Sequence, residues 1–419
     1  MIDKVKAFYK IFGPGILMAT AAIGGSHLVS STQAGALFGW SLAIFILLIN
    51  FFKYPFFLAN VQYTMATKKS LIEGYASLGN SWLWLFTILA VIAAVVNTAA
   101  VSMFAASLLG YFIPIKLTIN ILSFIIIFAC ILILIAGKYN LLNNVSKIIM
   151  ITLSIATVVA VVMAVTKDVN STLADDFISP SAWTIASLGF IVILTGWMPA
   201  PIEISSISSI WLKNQIKQTN INAKNALLDF NVGFIVTAIL ALFFLALGAL
   251  VLHGSAYEFK DGIAFSHQLV TMYSTVIGDW SRLLIAFIAF ACMFGTSITV
   301  IDGYGRAVAE AFSLIRKNRS ASNRSVAIWT IFISIIGFLI IIYFASSMRT
   351  MLDFAMILSF TTTPIFAFLN YKLVRSTKLP KELQNGMFLN ILSICGLIFL
   401  FGFLILFIIY RWFPFLIGL

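Results

Sequence analysis

Charge is scarce in this sequence. Only 10% of its 419 residues are Asp, Glu, Lys or Arg, against 61% that are hydrophobic. A soluble chain of this length needs far more charge to cover its surface, so a soluble globular class is excluded. Cysteine is nearly missing, and Cys130, Cys292 and Cys395 all fall inside apolar runs, where they read as small packing residues. No disulfide framework and no Cys/His metal spacing results. Long hydrophilic stretches are also missing. The longest, about 253–279 and 303–324, are too short for independent folds. The basic start, Met1 to Lys10, leads into a long span without a small-residue cleavage site, which predicts no removable signal peptide.

What is present is apolar sequence in runs of membrane-crossing length. Each run is long enough to cross a hydrocarbon core roughly 30 Å thick. Eleven spans are expected, near 14–37, 41–63, 82–110, 117–137, 147–166, 183–210, 228–252, 280–301, 325–345, 351–371 and 387–410. The chain reads as an all-α integral membrane protein, one membrane domain over residues 1–419, with the lipid bilayer as its main partner. Trp40, Trp82, Trp183 and Trp280 near span ends read as interfacial anchors.

Basic residues set the orientation. With the N-terminus cytoplasmic, the inner segments carry nineteen Lys and Arg and the outer segments six, with Lys53 left over inside the second span. The bias is a strong positive-inside signal for a cell membrane protein. Asp168, Asp175, Asp176, Glu258, Asp261 and Asp279 fall outside, and an odd number of spans puts the C-terminus outside as well. The net charge of +12 is thus topology, and a nucleic-acid partner is excluded. Nothing indicates a protein partner.

Polar residues interrupt two spans. In the first, Gly13-Pro14-Gly15 opens a helix that meets Gly24-Gly25-Ser26-His27 and resumes with Ser30, Ser31, Thr32 and Gln33. Paired glycines and a histidine propagate a helix poorly in a bilayer, where every freed backbone group needs a partner. Glycines alone would also suit close helix packing. An intramembrane histidine beside them favours a cavity. In the sixth span, Thr195-Gly196-Trp197-Met198-Pro199-Ala200-Pro201-Ile202-Glu203 holds two prolines two residues apart, which a regular helix cannot accommodate. Glu203 is the carboxylate these limits place well inside the bilayer. It reads as a cation ligand or proton acceptor, or as a neutral carboxyl bonded to Ser205, Ser206 or a neighbouring helix.

Breaks in spans one and six are what two five-helix inverted repeats produce, here 11–166 and 183–371, with 387–410 as an eleventh, added helix. Unwound segments then face a site at the midplane, and the protein works by alternating access. This points to a secondary transporter and away from an enzyme or channel.

The run from Gly13-Pro14-Gly15 to Gln33-Ala34-Gly35-Ala36, then Phe38-Gly39-Trp40, resembles the opening of NRAMP divalent-metal transporters. That resemblance implies a LeuT-like fold with helices 1 and 6 unwound and a divalent cation as transported substrate, with no permanently bound cofactor. Counting back from Gln33 puts the family's Asp-Pro-Gly-Asn at Gly24, Gly25, Ser26 and His27. Its Met-Pro-His falls on Met198, Pro199 and Ala200. Lys53-Tyr54-Pro55-Phe56-Phe57 and Ser70-Leu71-Ile72-Glu73-Gly74-Tyr75 look like the branch associated with magnesium.

The candidate site is therefore Gly24, Gly25, Ser26, His27, Thr195, Met198, Ala200 and Glu203. Its ligating aspartate and asparagine are replaced, and oxygen donors dominate, which favours Mg²⁺ over Mn²⁺ because Mg²⁺ keeps several waters. The third span offers Asn97, Thr98 and Ser102 but no titratable group, so weak proton coupling is expected. Two alternatives stand: a carrier of a small organic substrate such as an amino acid, its carboxylate cradled by the glycine break, and a non-transporting, sensor-like relative. Thr361, Thr362 and Thr363 before Pro364 are candidates for gating, or for repair of the proline kink. Asp229, Asp302 and Asp353 are expected at solvated span ends.

Overall fold

A computed structural model describes residues 13–135, 139–166, 177–218, 221–254, 262–318 and 320–413. Lys4, Lys138, Asp168, Asp175 and Arg319, part of the charge pattern behind the expected orientation, lie outside the described residues. So do residues 11–12 of the expected first repeat.

Among the described residues the regular structure is helical, with no strand. That is the outcome a bilayer imposes on open segments, because each backbone N–H must find its acceptor within the segment. Seven helices are long and apolar enough to cross a membrane, and three shorter apolar helices accompany them. The second to fifth segments are Ala43–Thr67, Asn80–Leu109, Ile119–Ile135 and Tyr139–Thr166. The seventh to eleventh are Ala223–Val251, Arg282–Ile315, Asn323–Tyr343, Met348–Ser376 and Met387–Trp412. The third and eighth form the interior, with 72% and 78% of their apolar windows buried, whereas the ninth and eleventh, at 28%, present most of theirs outward.

The first segment is built in pieces: Pro14–Ala22, a π-helical turn Ser26–Ser31, then Thr32–Phe38. It lies on the seventh segment through glycines that no other residue could replace without displacing backbone. A Cβ on Gly35 would come 2.0 Å from the Leu245 carbonyl oxygen, and one on Gly248 would come 2.1 Å from that of Thr32. Small residues thus let two membrane helices touch backbone to backbone.

Asp229 corrects an expectation. Rather than facing solvent, it is 2% exposed, and its carboxylate accepts from the Gly13, Gly15 and Ile16 N–H groups at 3.2, 2.7 and 3.3 Å. These are orphan donors at a helix start, where a negative charge is also favoured by the helix dipole. Asp302 is likewise buried at 3% and pairs with Arg306 at 2.8 Å.

Two stretches expected as connections are helices. Leu71–Leu78 is fixed by a Ser70/Glu73 capping box. Lys213 then ties it to the eighth segment, reaching Glu73 at 2.6 Å and Glu310 at 3.3 Å. Gly262–Ile277, read as hydrophilic, buries Phe265, Leu269, Met272, Tyr273 and Val276. Its spacing is that of an amphipathic helix, a pattern that average hydrophilicity conceals.

Candidate functional site

The two breaks differ in kind. The first is short: the opening helix ends at Ala22, the chain bends at Ile23 and Gly24, and winding resumes at once as a π-turn. An extended unwound segment was expected there. Within this turn Ser31 and Thr32 donate to carbonyls five residues back, Ser26 and His27. Such insertions mark functional sites in many helices. The sixth segment opens more widely. Its first half, Leu188–Trp197, stops where Met198 turns extended, and its second half, Ile204–Gln218, starts after the two prolines. The Met198–Pro199 peptide is cis.

Between the breaks lies a small cavity of about 30 Å³. Gly25, Ser26, Trp197, Ala200, Asn97 and Tyr304 are among its walls, with Thr296 on the eighth segment. Gly25 is there for space: a Cβ would sit 2.5 Å from the Trp197 ring. The indole N–H donates to Asn97 Oδ1 and to Ser359 Oγ, both at 3.1 Å. Asn97 Nδ2 donates to the Tyr304 hydroxyl at 3.0 Å, and that hydroxyl donates to Glu203 Oε1 at 3.1 Å. One polar chain therefore joins the third, sixth, eighth and tenth segments around the cavity. Glu203 is 1% exposed, and its Oε2 has no hydrogen-bond partner. Ser205 and Ser206, expected as its side-chain partners, go elsewhere: Ser205 Oγ accepts from Asn370, and Ser206 donates to the Glu203 backbone carbonyl.

The other candidates are distributed around this centre. Gly24 faces Thr296, whose Oγ1 would be 3.1 Å from an added Cβ. His27 is fully buried but points to the seventh segment, with Nε2 2.9 Å from the Thr237 carbonyl oxygen and Nδ1 2.7 Å from Ser26 Oγ. Facing a carbonyl, Nε2 is the protonated nitrogen. Thr195 turns its hydroxyl back to the Ile191 carbonyl. Met198 packs in an apolar cluster with Phe45, Leu194 and Leu245. Thr361, Thr362 and Thr363 all donate to carbonyls of their own helix, at Leu358 and Ser359.

Three residues at the centre were not among the expected site residues. Lys53 is fully buried, and its ammonium donates to the carbonyls of Thr195, Gly196 and Ala200 at 2.6, 3.3 and 3.5 Å. The available signal was its place inside an apolar span, since ionisable groups at that depth are functional by default. Tyr304 was missed because the eighth helix runs on to Ile315, well past its expected end. Asn97 was noticed but weighed only for its lack of titratable protons. Among the described residues no group of three or more His, Cys, Asp or Glu could hold a metal.

Comparison with known proteins places this geometry. A family profile described as natural resistance-associated macrophage protein-like (Nramp) matches residues 15–410. An uncharacterized protein of Pasteurella multocida (strain Pm70), PM0681, is 48% identical over 404 residues, covering 96% of this chain and 92% of that protein. A mutant of the Eremococcus coleocola manganese transporter superposes with a TM-score of 0.72 at 14% identity, covering 96% of this chain and 87% of that one. MhsT in complex with L-phenylalanine gives 0.65 at 13% identity, covering 93% and 98%. These two structures share the LeuT-like fold with this chain, which the profile match assigns more narrowly: it belongs to the Nramp family, a family of divalent-metal transporters and not of enzymes.

Proposed function

We propose that the chain is a secondary transporter moving a divalent cation, Mg²⁺ in preference to Mn²⁺, by alternating access between the two breaks. The observation that carries this reading is Glu203. It is a buried carboxylate in a broken helix with one oxygen on Tyr304 and the other without a hydrogen bond. An oxygen of a buried carboxylate left without a hydrogen bond carries a desolvation cost and, although the Lys53 charge lies within electrostatic reach, a directly bound cation would lower that cost.

The donors near it support a hard cation. Tyr304 bonds to Glu203, and Asn97 and Ser26 line the adjoining cavity with further oxygen, whereas Met198, the thioether of the family pattern, sits in an apolar cluster. The sixth-segment carbonyls of Thr195, Gly196 and Ala200 already receive Lys53. A cation at Glu203 therefore keeps part of its water shell, as Mg²⁺ does. Room for those waters comes as the site opens during transport. Membership of a family of divalent-metal transporters disfavours an amino acid.

Reconstitution into liposomes tests the substrate class. Uptake of Mg²⁺ is expected to exceed that of Mn²⁺ and Ca²⁺, and a panel of amino acids is expected neither to enter nor to compete. Saturable amino-acid uptake without metal flux would sink the reading.

A further inference from the structure

We infer that the break in the sixth segment is a monovalent-cation site and that the Lys53 ammonium is its built-in occupant. The first half of that segment ends at Trp197, so the carbonyls of its last turn have no partner further along the helix. They carry the negative end of the helix dipole. Thr195 and Gly196 supply two of them, and Ala200, inside the gap, supplies a third. In broken membrane helices such carbonyl ends are where small cations bind. Here three carbonyl oxygens, two from the end of the half-helix and one from the gap itself, converge on one ammonium with three donors, a match of number as well as charge.

No solvent reaches the group: Lys53 is 0% exposed. Among the described residues no carboxylate lies within ion-pair distance of its Nζ, although Glu203 is within electrostatic reach. The ammonium is thus in direct contact with backbone oxygen alone, as an alkali ion would be, with Glu203 as its nearby counter-charge. A lysine whose role was only to anchor the second segment to the sixth would not need all its donors on freed carbonyls. The side chain does the work of a bound ion without dissociating, and the wild-type protein therefore needs no external monovalent cation to hold this break together. The inference concerns the resident charge and holds whichever substrate the protein moves.

The test uses Lys53→Met, a substitution that keeps most of the stem and removes the charge. Thermal unfolding of the full chain in detergent is followed in choline, sodium, potassium and methylammonium chloride at equal ionic strength. The wild type is expected to unfold at one temperature in all four. The Met variant is expected to unfold earlier in choline and to regain at least about 2 °C, saturably, in one or more of the three smaller cations. Lys53→Arg, which keeps the charge, is expected to behave as the wild type does. Equal ion responses in the wild type and the Met variant would overturn the inference. So would a Met variant that fails to fold in every salt, methylammonium included, since the site's own class of ligand would then be unable to replace the side chain. Because the readout is unfolding, a failure here leaves the metal-transport reading to its own test.

Discussion

Glu203→Gln is expected to lower Mg²⁺ uptake by about a hundredfold or more while the protein stays folded. The substitution preserves shape, and the amide oxygen still accepts from Tyr304, which donates to Oε1 at 3.1 Å in the native protein. What is lost is the charge and the free oxygen, Oε2. A hydrogen bond or contact to a charged group contributes about 1.5–3 kcal/mol, and the electrostatic attraction of a divalent ion adds to it in a site shielded from water. At 1.4 kcal/mol per decade the expected loss follows. Unaltered thermal unfolding alongside the lost uptake separates this from misfolding. Normal uptake by the Gln variant would instead identify Glu203 as a neutral carboxyl whose only task is to accept from Tyr304.

Gly25→Ala is expected to reduce transport by roughly ten- to a hundredfold, an effect of position rather than of glycine as such. The new Cβ would lie 2.5 Å from the Trp197 ring, a separation that forces the indole to move. Moving it breaks its bonds to Asn97 and Ser359, and so removes an anchor of Asn97, the residue that donates to Tyr304 beside Glu203. Overpacking of this kind costs about 1–3 kcal/mol. Gly24→Ala, one residue earlier, meets the Thr296 side chain at 3.1–3.2 Å and Met293 Sδ at 3.5 Å, and is expected to lose no more than a few-fold. Gly402→Ala, in the eleventh segment with nothing within 4 Å, serves as the control. Uptake rates for the three variants, each normalised to folded protein, give the order. Equal losses at Gly24 and Gly25 would contradict the geometry, because only one of them faces the indole.

Much of the fold was legible because a bilayer enforces it. Apolar runs must be helical there, closely spaced prolines break them, and paired glycines beside a histidine favour a break, so the two interruptions were readable from residue type. The difference between them was not. Residue type does not decide whether Gly24-Gly25 gives an open stretch or a short bend with a π-turn, in which Ser31 and Thr32 donate to carbonyls five residues back. The same limit applies to Asp229, which looks like an interfacial residue until the start of the first helix is brought against it.

The site was legible in part. Gly25, Ser26 and Ala200 line the cavity, and Glu203 stands next to it through Tyr304. His27 and Met198 belong to the same motifs, yet one turns to the seventh segment and the other into an apolar cluster. Spacing along a chain says nothing about which way a side chain leaves a bent helix. Asn97, Tyr304 and Lys53 join the site through contacts across 207 and 142 residues of sequence, distances at which only tertiary structure speaks.

The most direct test of the account is Mg²⁺ flux into liposomes holding the purified protein under an imposed inside-negative potential, with an interior pH probe read at the same time. A divalent cation gains about 4.6 kcal/mol per 100 mV of such a potential, twice the value for a single charge. Mg²⁺ accumulation is expected to rise with the potential, to be lost in Glu203→Gln, and to proceed without matching acidification. Mg²⁺ entry absent at every potential, with an amino acid entering in its place, would contradict it.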